Sequence, residues 1–193
     1  TCQTTVRDKL AKKLLKELGR DALLIPCAAL CSGIAFRRWV KEKGTPRKDL
    51  ILINFQHKGA NDDWGQQVDP NKWRSTVRKA AEQLSKRNEI VFICQSKWEK
   101  KLADRNFPEY SSCHPQTTRE YAFLIARAKV ALVSRIHCAI PLAGMGTPSI
   151  VVGTDSRTWT TDEVHLPSRY VKEVDAAYVV DTVEHLLEKE HEH

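Results

Sequence analysis

Four short runs with a continuous apolar centre recur along the chain, each separated by a stretch with helical spacing. They are Leu50–Phe55 (LILINF), Glu89–Cys94 (EIVFIC), Lys129–Ser134 (KVALVS) and Ser149–Gly153 (SIVVG). A strand with one wet face alternates apolar and polar residues. A run without alternation must be covered on both faces, which parallel sheets flanked by helices provide. Between the runs, Asp69-Pro70 opens a helix with Trp73, Val77, Ala80, Ala81 and Leu84 on one face. Residues 96–105 form a shorter helix. Thr117-Thr118-Arg119-Glu120 is a capping box before Tyr121, Leu124, Ile125 and Ala128. A helix of small residues spans 137–145. The expected fold is therefore α/β, a Rossmann-like parallel sheet flanked by helices.

Outside this core the pattern is weaker. Residues 5–18 read as a helix capped by Thr5 and stopped at Gly19, with Ala22–Ile25 a strand after it. Residues up to Trp39 have no clear period. The polar link Lys41–Lys48 places a boundary between residues 1–45, the end of an amino-terminal lobe and linker, and residues 46–193. Residues 106–116 and 154–168 read as loops. Ala176–Val180 reads as a last strand, with Asp181 capping a terminal helix.

Composition narrows the function classes. No apolar run reaches the roughly 18 residues of a membrane span. The net charge of +7 on 193 residues is spread over several helix faces, and no zinc-finger spacing or aromatic RNP-like stretch accompanies it, so nucleic acid is not an expected partner. Six cysteines without a C-x₂-C pair suit reduced thiols in the cytoplasm better than a disulfide scaffold or a structural zinc site, so no metal is expected.

In such sheets ligands bind beyond the carboxyl ends of the strands. Ser134-Arg135-Ile136-His137 follows an apolar strand and opens a helix, which places a guanidinium and an imidazole among unpaired backbone N–H groups. That combination suits a phosphate or carboxylate; a surface ion pair for Arg135 and a packing role for His137 fit the same spacing. After the next strand, Asp155 and Arg157 suit sugar hydroxyls or a second anion, and equally an Asx-turn beside an exposed arginine. His57, Asn61, Asp62 and Asp63 fall in the loop after the first strand, and Trp159 offers a face on which a sugar can stack.

Arg135-Ile136-His137, Ala139-Ile140, Gly146-Thr147-Pro148 and the run Thr154-Asp155-Ser156-Arg157-Thr158 resemble the carboxyl-terminal lobe of polysaccharide pyruvyl transferases, with Ser134 and Leu166-Pro167 extending the match. Arg7-Asp8, the helix ending at Leu18-Gly19 and the strand ending at Pro26-Cys27 are similar to that family's mid-chain segment. The resemblance implies a GT-B-like architecture, two Rossmann-like lobes around a cleft. It also implies transfer of pyruvate from phosphoenolpyruvate to two hydroxyls of a sugar or glycan acceptor as a ketal. Arg7, Arg135, Ile136 and His137 would contact phosphoenolpyruvate, with Arg135 and His137 catalytic, and Asp155 and Arg157 would line the substrate site. No cofactor is implied beyond the donor itself. The family's glycine-rich amino-terminal region has no counterpart in the sequence, which fits either a piece of a larger protein with a further amino-terminal lobe or a chain that has lost half its cleft, and Cys138 stands where many members have glycine. Two other readings fit the same helix start: a GT-B glycosyltransferase using a nucleotide-sugar, and a non-catalytic lobe that binds a ligand or partner.

Overall fold

The computed structural model describes residues 3–56 and 68–191. Among these residues eight strands and seven α-helices follow one another as β1 (Thr5–Val6), α1 (Lys9–Glu17), β2 (Leu23–Leu24), α2 (Ser32–Lys43), β3 (Leu50–Asn54), α3 (Pro70–Leu84), β4 (Glu89–Ile93), α4 (Lys97–Asn106), β5 (Ser111–Cys113), α5 (Thr118–Ala126), β6 (Ala128–Val133), α6 (Ile136–Met145), β7 (Ser149–Gly153), β8 (Ser168–Tyr170) and α7 (Ala176–His191). Strands β3 to β8 form one sheet in the order β5-β4-β3-β6-β7-β8, parallel throughout. Strands β1 and β2 form a separate parallel pair, with α1 between them in sequence and no residue of α1 buried.

The expected Rossmann-like sheet is present, and its apolar runs are covered on both sides. Ile51, Ile53, Val130, Leu132, Ile150 and Val152 turn to a face packed with α3 and α7, where Trp73, Val77 and Val183 meet them. Leu50, Leu52, Ala131, Val133 and Val151 turn to the other face with Phe36, Ile125, Cys138 and Ile140. Alternate residues of each strand thus serve opposite layers, which is why the centres of the runs are apolar at every position.

Helix α2, in the stretch without clear periodicity, rests on α5 and α6. A methyl group added at Gly33 would lie 1.9 Å from the Gly144 carbonyl oxygen, so the two backbones approach where only glycine fits.

Four local expectations are corrected. Thr5 lies in β1, and α1 begins at Asp8, whose side chain accepts from the Ala11 N–H at 2.8 Å. Residues 111–113 are an edge strand rather than loop, and the loop expected to end at 168 gives way there to a second edge strand, 168–170; both are held by main-chain pairing that their polar side chains do not advertise. Residues 156–164 wind into 3-10 turns. Ala176–Val180 is the start of α7 and not a strand. Asp175 accepts from the Tyr178 N–H at 2.8 Å, and Val179 and Val183 are buried one turn apart, a helical interval.

The strand order reverses between β3 and β6. Connections run outward from β3 to one edge and from β6 to the other, which leaves a crevice at their carboxyl ends. No helix among the described residues is long and apolar enough to cross a membrane.

Candidate functional site

The crevice is closed at its floor by one amide. Asn54 ends β3 at 1% exposure; its Nδ2 donates to the Ile93 carbonyl at the end of β4 (3.1 Å), and its Oδ1 accepts from the Arg135 backbone N–H beyond β6 (3.1 Å). Three neighbouring strand ends are therefore tied together under the start of α6. Arg135 occupies the N-cap position of that helix and supplies no side-chain cap. The first N–H groups of a helix have no acceptor within it, so the uncapped start at Ile136 and His137 carries partial positive charge outward.

The Arg135 guanidinium is held by its inner edge. Its Nε donates to Glu99 Oε1 at 2.5 Å, and no described residue accepts from its two Nη groups. Glu99 is 1% exposed on α4, and its other oxygen accepts from the Gln95 N–H at 2.7 Å and lies 3.5 Å from Asn54 Nδ2. A buried carboxylate that serves this many donors fixes the arginine it faces. The sequence reading missed Asn54 and Glu99. Their signals are a polar residue closing an otherwise apolar strand, and a glutamate three residues after the N-cap Ser96.

Asp155 and Arg157 are paired with each other. Asp155 accepts from the Arg157 backbone N–H at 3.0 Å, as an Asx-turn requires, and from its guanidinium at 2.9 and 2.5 Å. Burial raises the Asp155 carboxyl, but the hydrogen bonds and charge of Arg157, with Arg135 beyond, hold it below the usual carboxylate range. Gly153 makes this corner possible, because a methyl group there would lie 1.7 Å from the Thr158 hydroxyl.

His137 is the meeting point. It stands open to solvent, yet partial desolvation, followed by the charges of Arg7, Arg157 and Arg135, holds its imidazole below the ordinary histidine range. All three arginines named from the sequence therefore act on one ring. No described residue forms an ion pair with Arg7, which follows β1 and is half-buried. Three guanidiniums against the carboxylates of Glu99 and Asp155 leave net positive charge, to which the helix start adds. Ile136 is buried at 7% exposure and contributes its backbone here.

His137 also forms a wall of an open hollow of about 360 Å³, shared with Gln95, Gln116, Thr117, Thr118 and Tyr121. Burial pushes the nearby thiols of Cys94 and Cys138 up to about 12, so neither is a thiolate at neutral pH. Among the described residues no group of three or more His, Cys, Asp or Glu is placed to hold a metal ion. His57, Asn61, Asp62 and Asp63, and the side chain of Trp159, lie outside the described residues.

Comparison with solved structures supports the fold. The chain is similar to a UDP-GlcNAc 2-epimerase from Neisseria meningitidis bound to UDP-GlcNAc, with a TM-score of 0.61 and 11% identity over 96% of this chain and 52% of that one. It is also similar to a putative UDP-N-acetylglucosamine 2-epimerase from Listeria monocytogenes, with a TM-score of 0.58 and 14% identity over 96% of this chain and 51% of that one. Both have GT-B-like folds, and the chain spans about half their length. No curated protein matches it. The sequence model of the polysaccharide pyruvyl transferases matches residues 2–156, from before Arg7 through Arg135, His137 and Asp155, and the chain belongs to that family.

Proposed function

We propose that this chain carries the donor site of a pyruvyl transferase that takes pyruvate from phosphoenolpyruvate and places it as a ketal on two hydroxyls of a glycan or glycan precursor. The observation that carries the proposal is the uncapped start of α6 in the strand-reversal crevice, with Arg135 at its N-cap, its guanidinium tied among the described residues only through Nε to Glu99, and His137 in its first turn; the charges of Arg7, Arg157 and Arg135 reach the same imidazole. Phosphoenolpyruvate bears a carboxylate and a phosphate on three carbons. Nη groups of Arg135, the cation of Arg7 and the first N–H groups of α6 match both anions.

The reaction needs one proton on the methylene carbon and one on the departing phosphate, and the two acceptor hydroxyls supply both. Protonation of C3 makes C2 electrophilic. One hydroxyl oxygen bonds to C2, the C2–O bond to phosphate breaks, and the second hydroxyl oxygen completes the ketal with release of inorganic phosphate. His137 is placed to relay these protons. Partial desolvation, helped by the charges of the three arginines, holds its ring below the ordinary histidine range; a bound anion would offset those charges and raise its proton affinity as the donor arrives. Donor activation comes from the phosphate ester itself, and the proposal requires no cofactor. In this reading residues 1–45 contribute Arg7 from the end of an amino-terminal lobe, and the enzyme works in the cytoplasm on a soluble donor.

Thermal unfolding tests the proposal. Phosphoenolpyruvate should raise the melting temperature and a nucleoside diphosphate should not. The reverse pattern would favour a nucleotide-sugar glycosyltransferase, and a shift with neither would favour a binding lobe. Arg135→Ala should remove the shift.

A further inference from the structure

The two helix starts that flank His137 differ in charge. Helix α6 begins uncapped among arginines. Helix α5 begins with a variant of the capping box: Thr117 Oγ1 accepts from the Glu120 N–H at 3.1 Å, and the Glu120 carboxylate reaches past the cap to accept from the Gln116 N–H at 2.6 Å. A carboxylate thus already answers the partial positive charge of α5, and a second anion there would meet repulsion.

The hollow of about 360 Å³ lies between these two starts. Its size is near the lower end of the roughly 300 to 1,000 Å³ range of small-ligand sites. Its polar lining is uncharged: the amides of Gln95 and Gln116, the hydroxyls of Thr117, Thr118 and Tyr121, and His137 at the inner wall. Amides and hydroxyls both donate and accept, which is the pattern that sugar hydroxyls require. The outer rim, Gln116 to Thr118, is exposed, so a chain attached to a bound sugar has a way out.

We infer that this hollow receives the terminal sugar of a neutral glycan and turns two of its hydroxyls toward His137, which also stands in the first turn of the uncapped helix α6. The inference rests on the pyruvyl transfer reading for its chemistry, but the hollow can be tested without the donor. Histidine ring NMR signals of the full chain, with His137 assigned from His137→Gln, are followed during titration with methyl glycosides of glucose, galactose, mannose and N-acetylglucosamine. Each titration is run with and without phosphoenolpyruvate. At least one glycoside should move the His137 signal in both series. Thr118→Trp, which fills the rim, should weaken that glycoside at least tenfold and leave phosphoenolpyruvate affinity within twofold. The inference is overturned if no glycoside moves the signal, if Thr118→Trp leaves the affinity unchanged, or if uridine moves the signal at lower concentration than every glycoside. Failure of phosphoenolpyruvate alone would instead refute the donor reading and leave the glycoside result standing.

Discussion

Replacing Glu99 by glutamine removes one charge from the crevice floor and little volume, so its cost can be worked from contacts. The carboxylate serves Arg135 Nε at 2.5 Å and the Gln95 N–H at 2.7 Å, one oxygen each. A glutamine has one carbonyl oxygen and must turn its NH₂ toward the other donor. One charge-assisted hydrogen bond is lost and two donors face each other, a cost of roughly 1.5–3 kcal/mol. The larger penalty of about 3–5 kcal/mol for breaking a fully buried pair does not apply, because the Arg135 side chain is 31% exposed and water can reach it. The expected loss is about 2–3 kcal/mol in urea unfolding, with an unchanged slope. At roughly 2–4 °C per kcal/mol for a chain of this size, melting should fall by roughly 4–12 °C. A loss below about 0.5 kcal/mol would show that Glu99 does not hold the arginine, and the crevice would need another explanation.

Gly33→Ala should destabilise by about 2 kcal/mol or more, measured by the same unfolding, since its methyl group meets the Gly144 backbone and α2 must lift from α6. Asp175→Ala should cost about 1 kcal/mol and reduce helical circular dichroism if that residue caps α7. Because the folded protein holds His137 below its unfolded value, protonation favours the unfolded chain. The ring's contribution to stability is thus complete above roughly pH 6.5 and is lost as pH falls through the lowered folded value. His137→Gln should flatten that part of the stability profile, and an unchanged profile would contradict the cation cluster. Added inorganic phosphate or phosphoenolpyruvate should raise the His137 titration midpoint in NMR; a fixed midpoint would mean that the anion binds elsewhere.

The parts of this fold that could be read from sequence are those whose cause is local. A strand buried on both faces has no choice but to be apolar along its length, so LILIN, EIVFI and SIVVG announce β3, β4 and β7. Thr117 and Glu120 announce α5 for the same reason, since a capping box is complete within four residues. The polar edge strands β5 and β8 take their form from neighbours far away in sequence. Ala176–Val180 misled because a short apolar run fits either period, and Asp175 decides it only once its cap is seen. At the site, Arg135 and His137 were legible because strand, turn and helix place them. The bond from Arg135 to Glu99, 36 residues away in sequence, was not, nor was the pairing that occupies Asp155 with Arg157.

A small anion gripped at the start of α6 is what the donor site requires, and calorimetric titration of phosphoenolpyruvate into the wild-type chain and Arg135→Ala measures that directly. One binding site should be seen in the wild type and an affinity at least tenfold weaker in the variant. Equal affinities, or no heat of binding in the wild type, would contradict it.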